Sequence, residues 1–316
     1  MDLEQSTNAV LMIRPHRFYP NPETAADNAF QQAVAAGELP AVSLAAQAEF
    51  DAAVETLRSL GVTVHVVDDT ATPEKPDAVF PNNWFSTHHD GRVALYPMYS
   101  ATRRLERRHD VIDELRQHYR ITEVIDYSAS ENEGRTLEGT GSLVLDHVNK
   151  IAYACLSQRT HADVLKHFGE DFGYEPVKFR SQSADGRPIY HTNVMMCVGT
   201  DFALIGLQTI PVQSEREGLQ NLLEAHGKEV IELTPAQIAE FAGNAIELHN
   251  EREKLLVLSA RAAAALTAEQ RQRIEQYAKL VPLSLPTIEL AGGSARCMIA
   301  TLHLTPLHGR GALSRV

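Results

Sequence analysis

Of the three cysteines in the chain, Cys297 in GGSARCM has the surroundings best suited to chemistry. Gly292 and Gly293 precede it and allow close backbone approach, and Arg296 adjoins it as a cation able to stabilise a thiolate. Cys155 and Cys197 lie within apolar runs and read as small buried hydrophobes. Covalent catalysis by a thiol calls for a proton-transferring partner, and the side-chain types that serve are present as His191 in YHTNV and Glu138 in LEGTGS. Polar groups of a binding site are also available: Asp77, Asn82 and Asn83 in PDAVFPNNW, Asn193 in YHTNV and Asn244 in AGNAIEL. Singly, each has a plainer account. His191 reads as a satisfied structural histidine, Glu138 as an acidic turn, and the asparagines as turn residues bonding their own backbone.

The elements that must carry these residues decide between the two accounts. Apolar runs recur in a fixed order of strand, strand, helix, strand. The first unit covers 78–85, 93–96, 104–117 and 121–126; the second 142–146, 151–155, 161–168 and 176–179. The third covers 194–198, 202–206, 215–226 and 229–233; the fourth 245–249, 255–259, 267–277 and 281–285, with Thr267 as an N-cap. The two chain ends supply the fifth, with strands at 296–301 and 10–13, a helix at 43–60 ending before Gly61, and a strand at 62–67. Five ββαβ units of this kind predict an α/β propeller, one domain over 1–316, stacked about a common axis. An open α/β sheet with irregular insertions is the rival. If the first strand of each unit lines the axis, Asp77, Asn82, Asn83, Glu138, His191, Asn193, Asn244 and Cys297 converge at one place. As a convergent set they are hard to ascribe to core packing.

Composition narrows the function. The formal net charge of -12 argues against a nucleic-acid binder, and the run Arg103, Arg104, Arg107, Arg108 is interrupted by Glu106, Asp110 and Asp113, as on a solvated helix face. No apolar stretch is long enough for a membrane helix, and the N-terminus lacks the basic region of a secretory signal, so a cytoplasmic location is expected. HExxH, P-loop, GxGxxG and GxSxG motifs are absent. His88 and His89 read as loop residues without metal-ligand spacing, so neither metal nor cofactor is expected. The expected partner is a small amino acid, and a homo-oligomer stays open. The polar segment 16–40 is either a lid or plain surface.

GGSARCM, YHTNV, LEGTGS and PDAVFPNNW together resemble the superfamily of arginine deiminases, dimethylarginine dimethylaminohydrolases and glycine amidinotransferases, most closely the citrulline-utilisation hydrolases. The resemblance covers about two thirds of the chain and implies a five-bladed α/β propeller, the pentein fold. It further implies Cys297 as nucleophile, His191 as general acid and base, and Glu138 as the carboxylate that binds substrate nitrogen and orients the histidine. CLSQRT resembles the segment with a substrate-binding arginine, which makes Arg159 a holder of an α-carboxylate, with Arg103 or Arg104 as a weaker second candidate.

One departure bears on substrate. Arginine deiminases carry aspartates around the positions of Asn83 and Asn193, where they clamp a cationic guanidinium. An amide offers N–H donors that suit a neutral urea oxygen, whereas a guanidinium there would lose counter-charge. The expected reaction is therefore hydrolysis of citrulline to ornithine, ammonia and carbon dioxide, although Asp77 leaves an additional negative charge. The alternatives are a deiminase or dimethylaminohydrolase that makes citrulline, an amidinotransferase, and a non-catalytic amino-acid-binding protein.

Overall fold

The computed structural model describes residues 3–307, so the outermost ends of the expected 1–316 domain lie outside the described residues. Among the described residues, fifteen strands form five three-stranded sheets. In chain order the strands are β1 (Ala9–Arg14), β2 (Thr63–Asp68), β3 (Phe85–Thr87), β4 (Arg92–Leu95), β5 (Glu123–Asp126), β6 (Val144–Asp146), β7 (Ile151–Cys155), β8 (Glu175–Phe179), β9 (Met196–Val198), β10 (Phe202–Ile205), β11 (Glu229–Glu232), β12 (Ile246–His249), β13 (Lys254–Ser259), β14 (Lys279–Leu283) and β15 (Ala300–Thr301). Every sheet has one plan: the first strand of a unit pairs antiparallel with the second, which pairs parallel with the third. The fifth sheet, β15–β1–β2, joins the two ends of the chain.

Sequence and position agree best for the middle strands. Val10–Ile13 in β1, Phe202–Ile205 in β10 and Leu255–Leu258 in β13 are buried on both faces, which demands uninterrupted apolar runs rather than alternation. The outer strands are half exposed, and two of them, β8 and β14, contain prolines, which edge strands tolerate because one N–H side is unpaired. Apolar clusters fill the spaces between neighbouring sheets: Leu11, Phe85, Leu95 and Leu115 lie in one, Tyr96, Leu145, Ala152 and Phe168 in the next. Thr267 caps its helix through a reciprocal capping box with Gln270.

The first strands start later than the sequence predicts. Residues 78–84 are not β-structure but a bend closed by a single 3-10 turn at Pro81–Asn83, and β3 begins at Phe85. Pro81 lacks the N–H a ladder needs and the paired asparagines favour turns, so the chain coils before it extends. The same happens at Gly139–Ser142 and Thr192–Met195, each one helical turn ahead of β6 and β9, and the expected strand at 296–301 keeps only Ala300–Thr301. These turns surround the axis. The expected helix 104–117 is also broken, into Ala101–Arg104 and His109–His118. The arginine run is therefore no single solvated face: Arg103 is buried with Glu106, Arg107 grips Glu131, and Arg108 reaches Asp110 and the Asp68 carbonyl. The expected fourth-unit helix 267–277 is found as the shorter Ala268–Ile274, and a helix that the sequence did not predict, Ala260–Ala265, precedes it.

Candidate active site

Each inner strand is preceded by its turn, and the turns bring Asn83, Glu138, His191, Asn193, Asn244 and Cys297 together from five blades. Close approach depends on glycine. A Cβ on Gly141 would stand 2.1 Å from Asn83 Nδ2 and 2.7 Å from His191 Nδ1, and Gly139, at φ +46°, would meet the Asn82 carbonyl at 2.4 Å. The LEGTGS segment thus lets three blades touch where a side chain would hold them apart.

Cys297 Sγ receives two amide donors, Asn193 Nδ2 at 3.4 Å and Asn244 Nδ2 at 3.3 Å. Asn244 is itself fixed, accepting from the Arg296 backbone N–H at 3.1 Å and donating to the Asn193 carbonyl at 3.0 Å. Burial pushes the thiols of Cys155 and Cys197 up to about 12. His191 Nε2 lies 2.7 Å from Glu138 Oε2. Burial lowers His191 to about 4 despite that carboxylate, with Arg159 and Arg103 adding to the effect, so the ring is neutral at neutral pH. For Glu138 burial works upward, but Arg159, His191 and Arg103 together hold its carboxyl far below the usual range. It also accepts the Tyr99 backbone N–H at 2.9 Å.

A cavity opens on these groups, lined by Cys297, His191, Asp77, Asn83, Arg103 and Arg159. Arg159 donates through Nε and Nη2 to both Asp27 oxygens, each at 2.7 Å, stands 3.5 Å from Glu138, and stacks over the Tyr190 ring. Arg103 forms a fork with Glu106 at 2.9 Å and 2.9 Å, donates to Asn83 Oδ1 at 3.0 Å and lies 3.7 Å from Asp77. Burial raises Glu106 to about 7 against the pull of Arg103, and raises Asp77 from the ordinary carboxylate range. Asp77 is further fixed by Asn21 Nδ2 at 2.9 Å.

Two predicted positions fall elsewhere. Arg104 turns away from the cavity to the Met98 carbonyl and Glu131, and Arg103 enters instead, because adjacent residues of one helical turn point in different directions. Asn82 is buried, yet its side-chain amide has no partner among the described residues and is not in the cavity wall. Sequence reasoning missed Asp27 and Tyr190. Asp27 belongs to the segment 16–40, which lies across the cavity: Thr24 and Asn28 line it, Asn28 donates to the Ala291 carbonyl, and Glu23 accepts from the Thr102 N–H. That segment has no hydrophobic period to betray its position.

A family profile described as N,N dimethylarginine dimethylhydrolase, eukaryotic, matches residues 14–304. Among curated proteins, none matches the chain. Among solved structures, the N-terminal domain of a variant of ArgZ bound to substrate, an arginine dihydrolase from the ornithine–ammonia cycle in cyanobacteria, is 16% identical with a TM-score of 0.72, covering 95% of this chain and 98% of that one. AgrE in ternary complex with ornithine and NAD+ is 15% identical with a TM-score of 0.73, covering 98% of this chain and 40% of AgrE. A dimethylarginine dimethylaminohydrolase variant, as its adduct with S-methyl-L-thiocitrulline, is 15% identical with a TM-score of 0.64, covering 93% and 99%. The structural likenesses agree with five ββαβ blades, and the profile spans nearly the whole chain. The chain belongs to the N,N dimethylarginine dimethylhydrolase family of the pentein superfamily and is a hydrolase acting on C–N bonds.

Proposed function

We propose that the chain hydrolyses the ureido group of citrulline to ornithine, ammonia and carbon dioxide, with Cys297 as nucleophile. The observation that carries this reading is the Arg103 guanidinium in the cavity wall, bonded to Asn83 Oδ1 at 3.0 Å. A second guanidinium about 4 Å from it would meet a repulsion of about 4 kcal/mol at an effective dielectric of ~20. The nearby carboxylates are already engaged, Glu106 with Arg103, Asp27 with Arg159 and Glu138 with His191. Asp77 faces Arg103 at 3.7 Å and accepts from Asn21 at 2.9 Å, so its charge too is engaged. A neutral urea meets neither difficulty.

In this mechanism neutral His191 takes the Cys297 proton, and the thiolate attacks the ureido carbon. The C–N bond breaks as the imidazolium, held by Glu138, returns the proton to the departing nitrogen. The amides of Asn193 and Asn244 that face Sγ are placed to steady the charge developing beside it. His191 then removes a proton from water as it attacks the S-carbamoyl carbon, the C–S bond breaks, and the carbamate released decomposes to amine and carbon dioxide. One water is consumed overall. Arg159 holds the substrate carboxylate after Asp27 yields it. The five blades act as one domain on a small amino acid, and the reduced thiol this requires suits a cytoplasmic location.

A second reading is favoured by the likeness to ArgZ, an arginine dihydrolase: arginine could lose both nitrogens in turn, with citrulline as an intermediate. The purified chain should be incubated separately with citrulline, arginine and dimethylarginine while ornithine, citrulline and ammonia are measured. Ornithine from citrulline alone supports the proposal, and ornithine from arginine as well supports the dihydrolase. Citrulline that accumulates and is not consumed sinks both.

A further inference from the structure

The inner strands run from the Cys297 cavity to the opposite end of the axis, and three imidazoles meet just past their last residues. His89 stands in the β3–β4 turn, His147 in the β6–β7 turn and His303 beyond β15, so three blades contribute one ring each. One ring nitrogen of each lies within 4.8 Å of the others. No pair of them is close in sequence. His147 and His303 line a second cavity, which shares none of its lining with the Cys297 cavity.

We propose that His89, His147 and His303 bind a divalent first-row transition ion of the zinc type. His89 Nε2 and His303 Nδ1 are 3.1 Å apart. Two nitrogens on a tetrahedral zinc, each at ~2.0–2.1 Å, stand about 3.3 Å from one another, so that pair already has ligand spacing. His147 Nδ1 is 2.8 Å from the Tyr174 hydroxyl, which leaves Nε2 as the coordinating atom and gives the ring the outer hydrogen bond typical of metal-bound histidine. The backbone beneath is fixed as well: Gln5 accepts the His147 N–H at 2.8 Å and donates to the Leu145 and Val198 carbonyls, and the His303 N–H is held by Thr87 Oγ1 at 2.8 Å. His89 Nε2 lies 3.0 Å from the Glu4 carbonyl, so ligation moves its proton to Nδ1 and gives up that contact. An imidazole–imidazole hydrogen bond accounts for the 3.1 Å separation but not for a third ring held at the same point.

The donor set selects the ion. Three imidazoles suit zinc, copper or nickel, whereas magnesium and calcium require oxygen ligands. Arg296 lines the same cavity, and its guanidinium donates to the Ile299 carbonyl at 2.7 Å. A cation there favours an anionic fourth ligand such as hydroxide or chloride over a neutral one. The site stands apart from the thiol chemistry and does not depend on the proposed reaction.

The test uses the full chain carrying Cys297→Ala, so that the active-site thiol cannot bind the ion, stripped with EDTA and dialysed. Calorimetric titration with zinc chloride should show one equivalent bound, and magnesium chloride should show none. Adding His89→Gln, at the half-buried ring, or His303→Asn should weaken zinc binding at least tenfold. Cobalt chloride should give the intense visible absorption of a tetrahedral site, lost in His89→Gln. Absence of zinc binding, affinity unchanged in both histidine variants, or cobalt without tetrahedral bands would each overturn the proposal. Should His303→Asn fail to fold by circular dichroism, His89→Gln and the cobalt spectrum decide.

Discussion

At the start of the inner strands the buried polar groups are charged and paired: Arg103 with Glu106, Arg159 with Asp27, Glu138 beside His191. At the far end, equivalent positions in the blades carry imidazoles that burial keeps neutral, His88, His147 and His303 all lying well below their usual range. An ion can be buried only with partners, and a histidine escapes the cost by losing its proton. The same five-fold frame therefore supports paired ions at one end and a cluster of neutral imidazoles at the other. Chemistry is thereby assigned to one end and most of the acid sensitivity of the fold to the other, and substitutions can test the division.

Its largest expected consequence concerns the cysteines. Cys297→Ala should lower citrulline turnover by a factor of at least ~10⁴, because a nucleophile that works as a unit with its base has no substitute. Cys155→Ala should stay within about twofold in turnover and cost about 1 kcal/mol of stability, the typical burden of a buried truncation. Ornithine formation and urea denaturation measure the two. Comparable losses of activity in both variants would break the comparison at its root. Next comes Gly141→Ala, whose Cβ would stand 2.1 Å from Asn83 Nδ2 and 2.7 Å from His191 Nδ1. Displacing a catalytic group by about 1 Å can cost about 10²-fold. The fall should appear in kcat, and a variant with normal kcat would show that contact between the blade turns does not set the geometry.

What could be read from the sequence follows the same division. Val10–Ile13 and Leu255–Leu258 are legible because a strand buried on both faces must be apolar throughout. The inner strands are short, β15 having only two residues, and the turns before them contain the same small and apolar residues as a strand, so their boundaries were misplaced. Cys297, His191 and Glu138 stood out because reactive types recurred at equivalent repeat positions. The sequence leaves Arg103 and Arg104 undivided, and only Arg103 lines the cavity, because the direction of one helical turn depends on packing, which no repeat encodes. Asp27 was invisible in a segment without periodicity. The triad of His89, His147 and His303 was invisible for a related reason: ligand spacing in sequence presupposes one local element, whereas these rings come from three blades.

Acidification sharpens the far-end half of the comparison. A histidine whose pKa is lower in the folded than in the unfolded chain contributes stability that is present above about 6.5 and lost as pH falls toward the folded value. His191, lowered to about 4, acts over that window, and so do His88, His147 and His303, each lowered well below its usual range by burial. Each group adds a slope of about 1.4 kcal/mol per pH unit. In EDTA, urea midpoints should therefore fall steeply below pH 6.5, and His147→Gln should flatten the curve by about one proton's worth. A slope unchanged by His147→Gln would mean that the far end is not held neutral.

The smallest expected effect lies at the near end and concerns Asp27. Its carboxylate makes two 2.7 Å bonds to Arg159, the geometry with which a substrate carboxylate would be received, so Asp27 and substrate compete for one guanidinium. Asp27→Asn weakens the competitor while keeping its shape. KM for citrulline should fall about threefold to tenfold with kcat little changed, since the group is remote from the reacting carbon and acts on binding in ground and transition states alike. A rise in KM would have a different meaning: Asp27 would then be holding Arg159 in place for the substrate, and the pairing of charges at this end would be a support for binding instead of a latch against it.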